Sequence, residues 1–248
     1  MSGLDAGGYR VYPADPALSD WAAAALRVAE ETTVDRALLR HGETWYPGVD
    51  ALHNAPDGSV SGVPLGGGWR DDVDLPDHWH RAQLSMVYPG YPRQDVDESD
   101  GAHRYRIRRA AAHVDGLLPT GPERRRFLRE PHGFILGLPL NSVQKAPLMV
   151  WPGSHLILQR AFRAAAQGRD VSQLDLTETY HLARREVFET IAPLPLRALP
   201  GQAMLLHRHL LHGVAPWGEI EAADSAPRIV AYFRPHLDAG PQGWLDLP

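Results

Sequence analysis

HRYRIRRAAAHVD, residues 103–115, is the stretch on which the reading of this chain turns. Basic residues alternate with Tyr105 and Ile107 along its first half, which predicts a strand from His103 to Asp115. Residues i and i+2 of a strand share a face, so His113 and Asp115 can reach one metal ion. An imidazole and a carboxylate so placed are two-thirds of a facial triad. That set, two histidines and one carboxylate with open positions, suits non-haem Fe(II). If the pleat runs unbroken, Tyr105, Ile107 and Arg109 lie on the same metal face, and Arg109 can meet an anionic substrate group.

His-x-Asp by itself carries little information. With 13 His in the chain, about one match arises by chance. His236-Leu237-Asp238 is a second match, and His41-Gly42-Glu43 is a variant. The residues that follow set His113 and Asp115 apart. His212-Gly213 lies downstream, behind a glycine turn at Gly201 and the strand text AMLLH. Arg228 then opens the strand text RIVAYF. A second histidine completes the triad. The planar fork of Arg228, with Arg234 as its rival, can pair with the far carboxylate of a dicarboxylate. His236 has too little chain after it to head such a series, and His41 stands too early, in irregular text. His207 either backs the site by a hydrogen bond or is satisfied by backbone.

Working outward, strand text begins near Ala82 with QLSMVYPGYP. Pro122–Arg129 reads as a short helix; His132–Leu140 and Pro147–Trp151 read as buried strands. Helices follow over Leu156–Gln167 and Thr177–Thr190, an insert spanning about 156–190. Strands return at Leu196–Ala198, Ala203–Leu206 and Ile229–Phe233. Near the N-terminus Asp15 can cap a helix opened by Pro16, with helical text running to Leu39. His41–Pro76 is rich in glycine, proline and aspartate and reads as an irregular covering region with at most one short strand. Gly66–Trp69 within it reads as a flexible lid element. The whole is one domain, 1–248, mainly β with flanking helices: a helix and covering region over 1–80, then a strand-rich core over 81–235.

Composition excludes several classes. There is no cysteine, so disulfide scaffolds, thiolate metal sites and cysteine nucleophiles are out. A net charge of -5 argues against nucleic acid as a partner. No stretch approaches the ~20 apolar residues of a membrane span, and the opening MSGLDAGGYR has no signal-peptide core. A cytoplasmic protein acting on a small molecule is the expectation; the oligomeric state is left open.

Three segments resemble the phytanoyl-CoA dioxygenase family of Fe(II)- and 2-oxoglutarate-dependent oxygenases. AAHVDGLLP (111–119) resembles its metal-binding strand end, and APLMVWPGSH (146–155) its strand closing on Pro-Gly-Ser-His. GQAMLLHRHLLHGVAP (201–216) resembles its distal histidine segment, His207 included. With RIVAYFRP these cover about residues 80–235, and the first 80 carry no resemblance. Lys145-Ala146 and Trp217 stand where the family often has Asn-Gly and Asn, and GEIEAADSAP lengthens the span to Arg228. The resemblance implies a double-stranded β-helix, a jelly roll of the cupin kind. It implies His113, Asp115 and His212 as iron ligands and Arg228 on the 5-carboxylate of 2-oxoglutarate. Dioxygen is then the co-reactant, succinate the co-product and hydroxylation the simplest outcome. Asp115 argues against a halogenase, which would need that position vacated for halide. The rival expectations are a cupin-like metalloprotein with other chemistry and a non-catalytic jelly-roll binding protein.

Overall fold

The structure, a computed structural model, describes residues 4, 6–222 and 224–247. In chain order the elements are β1 (Tyr9–Tyr12), α1 (Pro16–Glu31), β2 (Trp45–Tyr46), β3 (Gln83–Val87), α2 (Asp100–Arg109), β4 (Leu117–Thr120), β5 (Arg125–Leu128), β6 (Phe134–Pro139), β7 (Leu148–Val150), α3 (Ser154–Ala166), α4 (Thr177–Thr190), β8 (Leu194–Leu196), β9 (Ala203–His207), β10 (His212–Val214), β11 (Arg228–Phe233) and α5 (Gly240–Asp246). One sheet has the order β1-β9-β6-β11-β3-β2, and a smaller one β10-β7-β8. A bridge from His113 to His212 adds a fourth neighbour to the small sheet.

From β3 onward the chain crosses between these sheets repeatedly. It passes from β3 to the His113 bridge, from β6 to β7 and β8, then through β9, β10 and β11, large and small sheets alternating around the β7–β8 pair. All named pairings are antiparallel. That winding is the double-stranded β-helix.

Period-two alternation sorts the side chains of the large sheet. Ile135, Met204, Leu206, Val230 and Tyr232 point inward and meet Leu148, Val150 and Leu196 of the small sheet. Phe134, Leu136, Ala203, Leu205, Ile229, Ala231 and Phe233 point outward and pack against α1 and the covering region. Buried on both faces, β6, β9 and β11 need apolar residues at nearly every position. Trp21 of α1 is fully buried there, its Nε1 donating to the Gly58 carbonyl at 2.9 Å. Helices α3 and α4 cover the small-sheet side with Leu158, Phe162, Tyr180 and Val187.

Four sequence expectations change. The His103–Asp115 strand is helix α2 followed by a turn. Ser99 caps it, accepting from Ala102 N at 3.2 Å, and Arg106, Arg108 and Arg109 in the last turn oppose the helix dipole. No α2 residue is buried, so its polar alternation reflects solvent rather than a pleat. Pro122–Arg129 is not helical: β4 and β5 form a hairpin, with Gly121 and Arg124 at positive φ in its turn. Helix α1 stops at Glu31, where β-branched Thr32, Thr33 and Val34 follow and the Thr32 hydroxyl donates to Val28 O at 2.8 Å. Gly66–Trp69 is no lid, for Trp69 is fully buried and bonds to Gly66 O at 2.8 Å. Strand β1, which the sequence reading missed, pairs with β9 at the sheet edge.

Candidate metal centre

Helix α2 ends in two consecutive left-handed residues, Ala110 and Ala111, each with φ of 50°. They turn the chain so that His113 meets His212 across a reciprocal backbone pair: His113 N to His212 O is 2.8 Å and the reverse bond is 3.1 Å. Such a pair sets both side chains on one face, and the imidazole centroids lie 4.7 Å apart. The close approach also explains the glycine after His212. A Cβ at Gly213 would sit 2.1 Å from the Ala110 carbonyl oxygen.

Each imidazole is oriented by its own backbone. His113 Nδ1 lies 3.0 Å from Ala111 O and His212 Nδ1 2.8 Å from Leu210 O. A carbonyl only accepts, so each Nδ1 carries a proton, and Nε2 is the ring atom left to ligate a metal ion. Those Nε2 atoms face Asp115, at 3.1 Å to Oδ1 from His113 and 3.6 Å to Oδ2 from His212. One ligand atom from each of the three falls within 4.8 Å of the others, the one such group among the described residues. Burial alone would raise the Asp115 carboxyl. The Arg234 charge beside it, with His212 and His113, overcomes that and holds it well below the usual carboxylate range. The three donors, two imidazole Nε2 atoms and a carboxylate held ionised, fit Fe(II).

The triad opens into a cavity of about 1020 Å³. Inward residues of β3 (Gln83, Ser85, Val87), with Trp45, Tyr91, Leu148 and Leu206, form much of its wall. The alternation in QLSMV was a legible signal for those inward polar residues. Tyr232 also lines it, with a buried hydroxyl that has no partner.

The two rival arginines sit apart on β11. Arg228, Val230 and Tyr232 alternate with the outward residues, so Arg228 faces the space between the sheets. It is 6% exposed, and its Nη1 is buried with no hydrogen-bond partner. Its register partner Val87 lines the cavity. Arg234, six residues on, lies at the metal end: Nε is 2.5 Å from Asp115 Oδ2 and Nη1 donates to Gln83 Oε1.

The other sequence candidates do not join the triad. Tyr105 lines the cavity, but from a helix, its hydroxyl donating to Ala112 O at 2.6 Å. Arg109 leaves the site altogether and stacks over Phe188 at 4.5 Å. His207 packs on His155, centroids 4.9 Å apart, and its Nδ1 accepts from His209 N at 3.0 Å. Neither His207 nor Arg109 is part of the cavity wall. His41 stacks on Trp45 while Glu43 pairs with Arg36, and His236 packs on His132. The polar run after Trp217 is a loop held by Lys145 to Glu221 at 2.7 Å.

No family model matches the chain, and no curated protein matches it in sequence. Distant similarity to solved structures is found. EctD from S. alaskensis with bound Fe is 18% identical over 94% of this chain and 73% of that one, with a TM-score of 0.42. SnoK, a non-heme alpha-ketoglutarate-dependent carbocyclase from nogalamycin biosynthesis, is 15% identical over 94% and 85%, TM-score 0.46. HygX from Streptomyces hygroscopicus, solved with nickel, 2-oxoglutarate and hygromycin B, is 16% identical over 93% and 84%, TM-score 0.45. At this distance the likeness carries neither reaction nor substrate. No helix among the described residues is long and apolar enough to cross a membrane.

Proposed function

We propose that the chain is an Fe(II)- and 2-oxoglutarate-dependent oxygenase, of the phytanoyl-CoA dioxygenase-like kind, hydroxylating a small organic molecule. The observation that carries this is the convergence of two imidazole Nε2 atoms and an ionised carboxylate on the wall of a large cavity. His113, Asp115 and His212 hold the iron. Iron and 2-oxoglutarate bound there supply dioxygen-dependent decarboxylation of the cosubstrate to succinate, coupled to substrate hydroxylation.

The chain's own residues do the rest. Ala111 and Leu210 carbonyls keep both imidazoles in the ligating tautomer. Arg234 holds one oxygen of Asp115, which orients the carboxylate. Arg228 receives the far carboxylate of 2-oxoglutarate. A buried guanidinium nitrogen without a partner is costly, and a bidentate carboxylate removes that cost. The Tyr232 hydroxyl, the second orphan along the same face of β11, donates to the same molecule. Leu148, Leu206 and Ile135 keep bulk water from the reacting end.

The test is turnover. Purified protein with ferrous iron, 2-oxoglutarate and air should form succinate, and His212→Ala should not. Succinate formation at the wild-type rate by His212→Ala would overturn the assignment.

A further inference from the structure

Three arginines line the cavity: Arg106, Arg126 and Arg234. Two are neutralised from within. Arg106 is clamped by Glu98, with Nε and Nη2 at 3.2 and 2.9 Å from Oε1, and Arg234 pairs with Asp115. Arg126 has no carboxylate within ion-pair distance among the described residues. Its one side-chain bond is Nη1 to the Leu117 carbonyl at 3.0 Å. Burial lowers its pKa, as do the neighbouring charges of Arg124 and Arg184, against an opposing effect of Tyr180 and Tyr105.

Arg126 is not a loose surface side chain. Its backbone is pinned to the start of α4 on both sides: its N–H donates to Thr177 Oγ1 at 2.8 Å, and its carbonyl accepts from Leu176 N at 2.8 Å. The guanidinium is thereby held against Leu117, two residues beyond Asp115, a span of at most about 7 Å along the chain. Apolar walls from Leu117, Leu118, Val114, Trp45 and Tyr91 share the cavity with it. A half-buried positive charge without an internal counter-ion, beside apolar surface in a cavity, is a receptor for an oxyanion on an apolar body.

We infer that Arg126 is the anchor for an anionic substrate, a carboxylate or phosphate ester with an apolar body held toward the metal centre. This deepens the oxygenase reading and rests on it for the cavity's role as the substrate chamber. The sequence reading had sought this contact in Arg109, from a strand that does not form.

The experiment uses the metal-free chain, so it stands or falls apart from turnover. Calorimetric titrations with 4-phenylbutyrate, phenyl phosphate and neutral 4-phenylbutyramide compare charge at near-constant shape. At least one anion should bind at least tenfold more tightly than the amide; whichever does so identifies the head group. Arg126→Gln should cost that anion about tenfold to a hundredfold and leave the amide unchanged, while Arg126→Lys recovers part of the loss. An unchanged Tm for Arg126→Gln shows that the fold is intact; if it falls, Arg126→Lys alone decides, by keeping the anion preference. Equal binding of anions and amide, no anion binding at millimolar concentration, or an anion preference that Arg228→Gln abolishes and Arg126→Gln does not, would each overturn the assignment.

Discussion

Two groups of histidines, one meeting at His212 and the other at His209, behave in opposite ways. His113 and His212 each give Nδ1 to a carbonyl and turn Nε2 toward a carboxylate at the edge of a cavity. His155, His207 and His209 lie ring against ring, with Phe162 and Trp244 close to His209 and no carboxylate paired with them among the described residues. Both His209 nitrogens and His155 Nδ1 are buried without partners. Burial pushes all three pKa values down, His207 to about 2 with help from Arg208 and His155. A shared carboxylate, fixed tautomers and open volume set the proposed metal site apart from this cluster of imidazoles.

The sharpest way to break this comparison is to truncate one histidine from each group. His212→Ala should lose Fe(II) affinity by more than about a hundredfold, since one of three ligands is gone. His209→Leu should leave Fe(II) affinity within about twofold by the same calorimetric titration. Comparable losses from both would erase the distinction.

Next in size is the cosubstrate. Arg228→Met should weaken 2-oxoglutarate binding by about 30- to 100-fold, the worth of a charge-assisted pair. It should not lower the Tm of the ligand-free protein, because it removes a buried, unpartnered charge. The Tm rise on adding 2-oxoglutarate with metal should vanish with it. Tyr232→Phe should cost about threefold to tenfold in the same affinity, the worth of one neutral hydrogen bond.

The smallest effect is on acid stability. A histidine held neutral by burial contributes stability that is fully present above its unfolded pKa of about 6.5 and is lost as pH falls toward its folded value. For His207 that window runs from about 6.5 down to about 2. Each such histidine should contribute a slope of up to about 1.4 kcal/mol per pH unit in denaturant unfolding. His209→Leu should flatten the slope between about pH 6 and 4. An unchanged slope would show that these rings are already protonated or solvated.

The legible parts of the sequence share one property. β6, β9, β11 and the core face of α4 are buried by neighbours on more than one side, so their residues carry the pattern of the fold. Helix α2 has no fully buried residue and the β4–β5 hairpin few, so local chemistry leaves helix and strand undecided in both. The triad was legible because a two-residue spacing and a later His-Gly survive even when the preceding element is misread. The sequence favours Arg228 over Arg234 only because Arg228 opens the strand text. Burial and the Asp115 contact, visible only in three dimensions, distinguish them. Arg126 was hidden by the same error that made its strand a helix.

The central claim is that His113, Asp115 and His212 hold iron with 2-oxoglutarate beside it. Anaerobic titration with Fe(II), with and without 2-oxoglutarate, tests it directly through the visible metal-to-ligand charge-transfer band. The account predicts a band that requires both and is absent from His212→Ala. Iron binding with no band, or a band that persists in His212→Ala, would contradict it.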